Sequence, residues 1–214
     1  MSPVLYEAAQ PCEIDMITAL VHEIKNPAAV ALAHVGLLRQ AGSDGERLAN
    51  CERIASALDD IAELAHQMLC VVHGTPLVSS FDLYACLEEM CETYQEAWPN
   101  INFTLHRYAA PIQFHAHEAS MRMVFSNLLK NAAEAVTPHG CVNIYVHLED
   151  DWVRVCIHDD GSNGTAAIDL EHVKPRGNGL GLPITRWLLQ RLGGTLTLNI
   201  GEMGGCEAVV RLPR

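Results

Sequence analysis

The stretch "NLLKNAAEA" (residues 127–135) decides how the second half of this 214-residue chain is read. Asn127 and Asn131 are four apart, so a helix carries both on one face. Val124, Leu128, Ala132 and Val136 line the neighbouring apolar face. Asparagine is a mediocre helix former, so two on one face need a reason. An amide oxygen is a hard ligand suited to Mg²⁺, an ion that bridges protein oxygens and nucleotide phosphates. A plain solvated face is the competing reading.

Two flanking stretches bear on the choice. In "RVCIHDDGSNG" (154–164), Val155 and Ile157 continue an alternation begun by Val153, which marks one buried strand face. Asp159 shares their parity. A buried carboxylate needs donors, and an adenine amine could supply one, although Asp-Gly also favours a simple turn. Gly161 would let a ligand approach the backbone. In "KPRGNGLGLPITRWLLQRLGG" (174–194), Gly177, Gly179 and Gly181 lead into a helix. Such a loop presents backbone N–H groups and a positive dipole end to phosphate. It is neither GxGxxG nor GxxxxGK[ST]. Lys174 and Arg176 stand beside the loop, either as phosphate contacts or as solvated charges.

Around these stretches the pattern predicts helices over 81–98, 117–137 and 181–192, the last ending at Gly193-Gly194. Strands are expected at "INFTLHR", "IQFHAH", "CVNIYVHLED", "DWVRVCIHDD", "TLTLNI" and "CEAVVRLP". The third and fourth make a hairpin whose turn lacks glycine. Without strict βαβ alternation, this half is an α+β layer sandwich. The polar run 73–83 reads as a linker.

The first half is different. Ile14, Ile17, Val21, Ile24, Ala28, Ala31, Val35 and Leu38 form a heptad seam. After Gly42, Ser43, Asp44 and Gly45 a second seam follows: Leu48, Cys51, Ala55, Leu58, Ala62, Ala65, Leu69 and Val72, widened by Ile54, Ile61 and Met68. Two long helices with a short polar loop predict an antiparallel hairpin. Its broad apolar stripe predicts that two hairpins pair as a four-helix bundle. In "ALVHEIKNPAAVAL" (19–32), His22 lies one position past the seam, where water and a second domain can reach it. Pro27 leaves the Glu23 carbonyl without its helical partner, so a bend is expected there.

Composition narrows the class. Apolar residues are 49% and charged residues 19% of the chain, which is globular. The formal charge of −12 argues against nonspecific nucleic-acid binding. Apolar runs are too short to span a bilayer, and the N-terminus lacks the features of a signal peptide. The eight cysteines are scattered, with no CxxC pair and no zinc spacing among them and the histidines. Reduced thiols in the cytoplasm are therefore expected.

Taken together, these stretches resemble, in order, the sequence boxes of bacterial sensor histidine kinases. "HEIKNP" resembles the H-box, "NLLKNAAEA" the N-box, and "DDGSNG" and "GNGLGL" the two glycine boxes. The resemblance runs from about Ile14 to Pro213. It implies a helical dimerisation and phosphoacceptor domain over 1–74, then an ATP-binding catalytic domain over 75–214 of the Bergerat or GHKL type. Carried over, His22 is the phosphoacceptor, Glu23 its general base, and Asn26 the positioner of water for dephosphorylation. Asn131 is the Mg²⁺ ligand, Asn127 lies near the phosphates, and Asp159 holds adenine. Lys130, Gly161, Lys174, Arg176, Gly177, Gly179, Gly181 and Leu182 complete the ATP pocket and its lid.

The implied activity is that of an ATP-dependent protein-histidine kinase, a homodimer that passes phosphate to a response-regulator aspartate. Asn163 stands at the second glycine of DxGxG, His117 where an acidic residue is usual, and the lid is short. The short lid and Asn163 favour the alternative, a phosphotransfer or phosphatase module with a degenerate ATP domain. A coiled-coil scaffold would leave the Asn pair, Asp-x-Gly and glycine loop without a reason. About twenty residues precede His22, so the signal is expected from a separate sensor protein, unless the chain is an excised core.

Overall fold

A computed structural model describes residues 13–72, 79–107, 111–161, 181–201 and 204–214. The chain divides into two compact units, Met1–Gly74 and Thr75–Arg214.

In the first unit, helix α1 (Glu13–Gln40) and helix α2 (Asp44–Val72) pack against each other. Ser43 and Glu46 open α2 with a capping box. The Glu46 amide donates to Ser43 Oγ at 3.2 Å, and the Ser43 and Gly42 amides donate to Glu46 Oε2 at 3.4 and 2.9 Å. Two N–H groups that the helix start would leave unpaired, those of Ser43 and Glu46, are thereby satisfied, and the Gly42 amide before them is bound as well. His34 Nδ1 and Asn50 Oδ1, 2.8 Å apart, tie the two helices near this turn. Helix α1 runs unbroken through Pro27, which is buried.

The hairpin uses only one of two adjacent seams on α2. Ala57 and Leu64 are buried, with Ile54, Ile61 and Met68 half-buried beside them; Leu20, Pro27 and Ala31 are buried on α1. The line foreseen from the heptad pattern stays open: Leu48 is 62%, Leu58 54% and Leu69 53% exposed, against 2% for Leu64. Cys51, Ala55, Ala62 and Ala65 are exposed along the same line. Val21, assigned to the α1 seam, is also exposed, whereas its neighbour Leu20 is fully buried.

The second unit holds β1 (Ser79–Asp82), α3 (Leu83–Ala97), β2 (Ile101–His106), β3 (Gln113–Ala116), α4 (Glu118–Val136), β4 (Gly140–Glu149), β5 (Trp152–Asp159), α5 (Gly181–Arg191), β6 (Thr195–Ile200) and β7 (Cys206–Pro213). Five strands form a sheet in the order β2-β4-β5-β7-β6, with β2 parallel to β4 and the other pairs antiparallel. β1 and β3 make a separate antiparallel pair.

Helix α3 begins two residues later than the sequence suggests. Phe81 and Asp82 are strand residues, opposite Phe114 and Gln113. Asp82 then caps the helix, accepting from the Tyr84 amide at 2.9 Å. His117 caps α4 by accepting from the Ser120 amide. The β4–β5 hairpin turns at Asp150-Asp151 without glycine, and Asp150 takes a φ of +35°; aspartate tolerates the left-handed region better than most residues.

Alternation sets the core. Val142, Ile144 and Val146 of β4, Val153, Val155 and Ile157 of β5, and Ala208, Val210 and Leu212 of β7 are all buried. So are Val124, Leu128 and Ala132 of α4 and Ile184, Leu188 and Leu189 of α5. The result is a layer of helices on one face of the mixed sheet, an α+β sandwich. Arg122 joins α4 to α3, reaching Glu118 at 3.0 Å and Glu89 at 2.6 Å. Burial pushes the Cys86 and Cys91 thiols on α3 up to about 11, so both serve as small hydrophobes. Cys51, Cys86, Cys91, Cys141, Cys156 and Cys206 are free thiols.

Candidate functional site

Asp159 closes β5 at the inward parity of Val153, Val155 and Ile157, and it is 5% exposed. One carboxylate oxygen, Oδ1, accepts from the Gly161 amide at 3.0 Å and from the Cys206 amide at 3.2 Å. Among the described residues the other oxygen, Oδ2, accepts no hydrogen bond, and it is not sealed in. Burial pushes the pKa of Asp159 upward, opposed by the Cys206 and Gly161 amides. The arrangement is a rigidly held carboxylate with one oxygen left for an incoming donor.

Two glycines make this possible. A Cβ on Gly161 would sit 2.7 Å from the backbone oxygen of Ala135, near the end of α4. Gly205, at φ +75°, would drive a Cβ into the Asp159 carbonyl. The β6–β7 turn therefore packs directly on the backbone of residue 159. Gly161→Ala is expected to destabilise the second unit by about 1–3 kcal/mol, because backbone rather than a side chain must give way. A thermal melt of the variant that matches the parent would contradict this packing.

Helix α4 brings the amides. Asn127 is buried, and its Nδ2 donates to the Gly181 carbonyl and to Thr185 Oγ1, each at 3.3 Å. Asn131, one turn on, is exposed. Lys130 between them is half-buried and engaged. Gly181 begins α5, and Leu182 beside it is half-buried. Lys174, Arg176, Gly177 and Gly179, together with Asn163, lie outside the described residues. The structure thus brings Asn127 and Gly181 together, and likewise Asp159 and Gly161. A groove of about 520 Å³ between α3 and β2, lined by Glu92, Gln95 and Phe103, holds none of the predicted residues.

In the first unit His22 is exposed, as is Asn26, while Glu23 is half-buried. His22 is two residues past the buried Leu20. At about 100° per residue it points away from α2.

Three residues escaped the sequence reading. Thr185 is fully buried on the apolar face of α5 beside Ile184 and Leu188, and a hydroxyl there was a legible signal. Gly205 falls in no element the sequence predicts and Cys206 only begins a predicted strand, yet they pack on Asp159 and anchor its carboxylate. The Cys206 thiol is pushed up to about 11, by burial first and by the charge of Asp159 second. Its backbone, not its sulfur, serves the site.

The chemistry of this donor set suits a nucleotide with its metal. An open, fixed carboxylate oxygen accepts from an exocyclic amine, and amide oxygens are hard ligands for Mg²⁺. Residues 116–214 match the family of histidine kinase-, DNA gyrase B-, and HSP90-like ATPases. The described part of this stretch is a helix-covered mixed sheet in which the buried Asp159 closes β5. Along most of its length the chain is similar to sensor histidine kinases. It is 28% identical to the two-component sensor PprA of Pseudomonas aeruginosa, over 93% of this chain and 24% of that protein. It is 26% identical to the sensor histidine kinase ZraS of Escherichia coli O157:H7, over 92% of this chain and 45% of that protein. The chain thus spans about a quarter of the first of these relatives and less than half of the second. Among solved structures, histidine kinase ThkA, in complex with response regulator protein TrrA, superposes with a TM-score of 0.68 at 21% identity. That match covers 93% of this chain and 61% of that one.

Proposed function

We propose that the chain is the catalytic core of an ATP-dependent protein-histidine kinase, which phosphorylates His22 and passes the phosphate to a response-regulator aspartate. The observation that carries this is Asp159, whose Oδ1 is clamped by two backbone amides while Oδ2 stays open. In this reading Oδ2 accepts from the adenine amine. Asn127, Lys130, Asn131, Lys174 and Arg176 face the phosphates, and Gly161, Gly177, Gly179, Gly181 and Leu182 shape the pocket and lid. Asn131 would hold Mg²⁺, which would supply countercharge to the leaving ADP. A ring nitrogen of His22 attacks the γ-phosphorus. An N–P bond forms, the bond to ADP breaks, and Glu23 takes the imidazole proton. Asn26, one turn from His22, orients water for hydrolysis of the phosphorylated regulator. An amide is a poor base, so Asn26 suits this role better than proton transfer.

The test is incubation of the whole chain with γ-labelled ATP. The expected product is label on the protein that survives base and is lost in acid, as a phosphohistidine must be. A purified receiver domain should then draw that label off. No label under saturating ATP and Mg²⁺ would defeat the reading.

The partner at the helical unit is proposed to be a second copy. The line Leu48, Cys51, Ala55, Leu58, Ala62, Ala65 and Leu69 is a seam that the chain's own hairpin leaves uncovered. Two such seams facing each other would close a four-helix bundle. Leu58→Asp buries an unpaired charge in that bundle, at a cost of about 3–5 kcal/mol for each such charge. Light scattering should report a dimer for the parent and a monomer for this variant. A monomeric parent at micromolar concentration would refute the pairing. Among the described residues no helix is long and apolar enough to cross a membrane. The cytoplasm is the proposed compartment, with the input signal delivered by a separate sensor or by a further part of a longer protein.

A further inference from the structure

We propose that Thr185 is a positioning residue: with the Gly181 carbonyl, it holds the Asn127 side chain so that its oxygen faces the metal. This rests on the reading of Asn127 as part of the nucleotide site. A carboxamide has nearly the same shape either way round, so sterics alone do not choose its orientation. Hydrogen bonds do. The Gly181 carbonyl has no hydrogen to give, so only the nitrogen of Asn127 can face it, at 3.3 Å. Thr185 Oγ1 takes the second N–H, also at 3.3 Å. Both donors of the amide are then spent on α5.

Asn127 Oδ1 is what remains. It has no hydrogen-bond partner among the described residues, and it is not enclosed. An acceptor-only oxygen presented to the site is what a divalent cation or its bound water requires. Thr185 is fully buried, so its hydroxyl is no solvent-facing accident. Because Gly181 and Thr185 both belong to the first turns of α5, the direction of this oxygen is tied to the seating of that helix.

Thr185→Val keeps the branched shape and removes the hydroxyl; Thr185→Ser keeps the hydroxyl. Calorimetry on the whole chain would measure ADP affinity with saturating Mg²⁺ and again with EDTA. In Thr185→Val the gain in affinity that Mg²⁺ confers is expected to fall by about three- to tenfold, the worth of one neutral hydrogen bond. Thr185→Ser should keep the gain, and metal-free affinity should stay within about twofold for all three proteins. An undiminished Mg²⁺ gain in Thr185→Val would overturn the proposal. So would an equal loss with and without metal, which marks a purely structural role, or a failure of serine to rescue. A second measurement needs no variant. In the parent, the ¹⁵N-labelled side-chain amide of Asn127 should exchange slowly with solvent, and fast exchange would refute the clamp. A parent that binds no ADP at all would instead defeat the nucleotide reading, and Thr185's role with it.

Discussion

Replacing His22 with glutamine is expected to abolish phosphoryl transfer to the protein while leaving ADP affinity and folding untouched. The loss should be complete, because in the proposed reaction the imidazole nitrogen is the attacking atom and a glutamine amide is no nucleophile. The stability side follows from position. His22 is exposed on α1 and turned away from α2, so no packing is lost. Glutamine is at least as good a helix former as histidine, and a surface change of this kind shifts stability by at most about 0.5 kcal/mol. Acid-labile label retained at the parental level in His22→Gln would place the acceptor elsewhere.

Asp159→Asn is expected to weaken ATP and ADP alike by about 10- to 100-fold, because a donor then faces the adenine amine and a buried polar pair goes unmade. The unliganded protein should melt no lower than the parent. Asparagine still offers Oδ1 to the Gly161 and Cys206 amides. It also removes a charge that burial disfavours, since the pKa of Asp159 is raised in the fold. For a carboxyl whose folded pKa is raised, stability is highest below its unfolded value and is lost as pH rises through the folded one. Any advantage of Asp159→Asn should thus be full at neutral pH and vanish in acid. Nucleotide affinity of the parent should run the other way. It should fall as pH drops through the raised pKa, where a protonated oxygen no longer simply accepts, and Asp159→Asn should lack that dependence. Unchanged calorimetric affinity in the variant would remove adenine from this oxygen.

Some of this was legible because the chain writes short-range periodicity plainly. The buried position of Asp159 follows from counting back through Ile157, Val155 and Val153. The two long helices follow from heptads. What was not legible depends on distant partners. Leu58 and Leu64 are equally apolar as letters, and only the docking of α1 decides that Leu64 is covered and Leu58 is not. The four-residue β1 falls across the end of the predicted linker and the start of the predicted helix, because its reason to exist is β3, paired from Ser79 to Ala116. The clamp on Asp159 comes from an amide 47 residues on, and the hold on Asn127 from a hydroxyl 58 residues on. Neither separation leaves a local pattern.

The grip of the Cys206 amide and Gly205 backbone on Asp159 also sets an order of events during synthesis. A ribosome delivers residues 13–72, with the exposed imidazole of His22, well before residue 205 has been made. The carboxylate at 159 acquires its second anchor only when β7 pairs with β5. A growing chain can therefore form its helical hairpin early, whereas the clamp on Asp159 must wait for the strand that begins at Cys206.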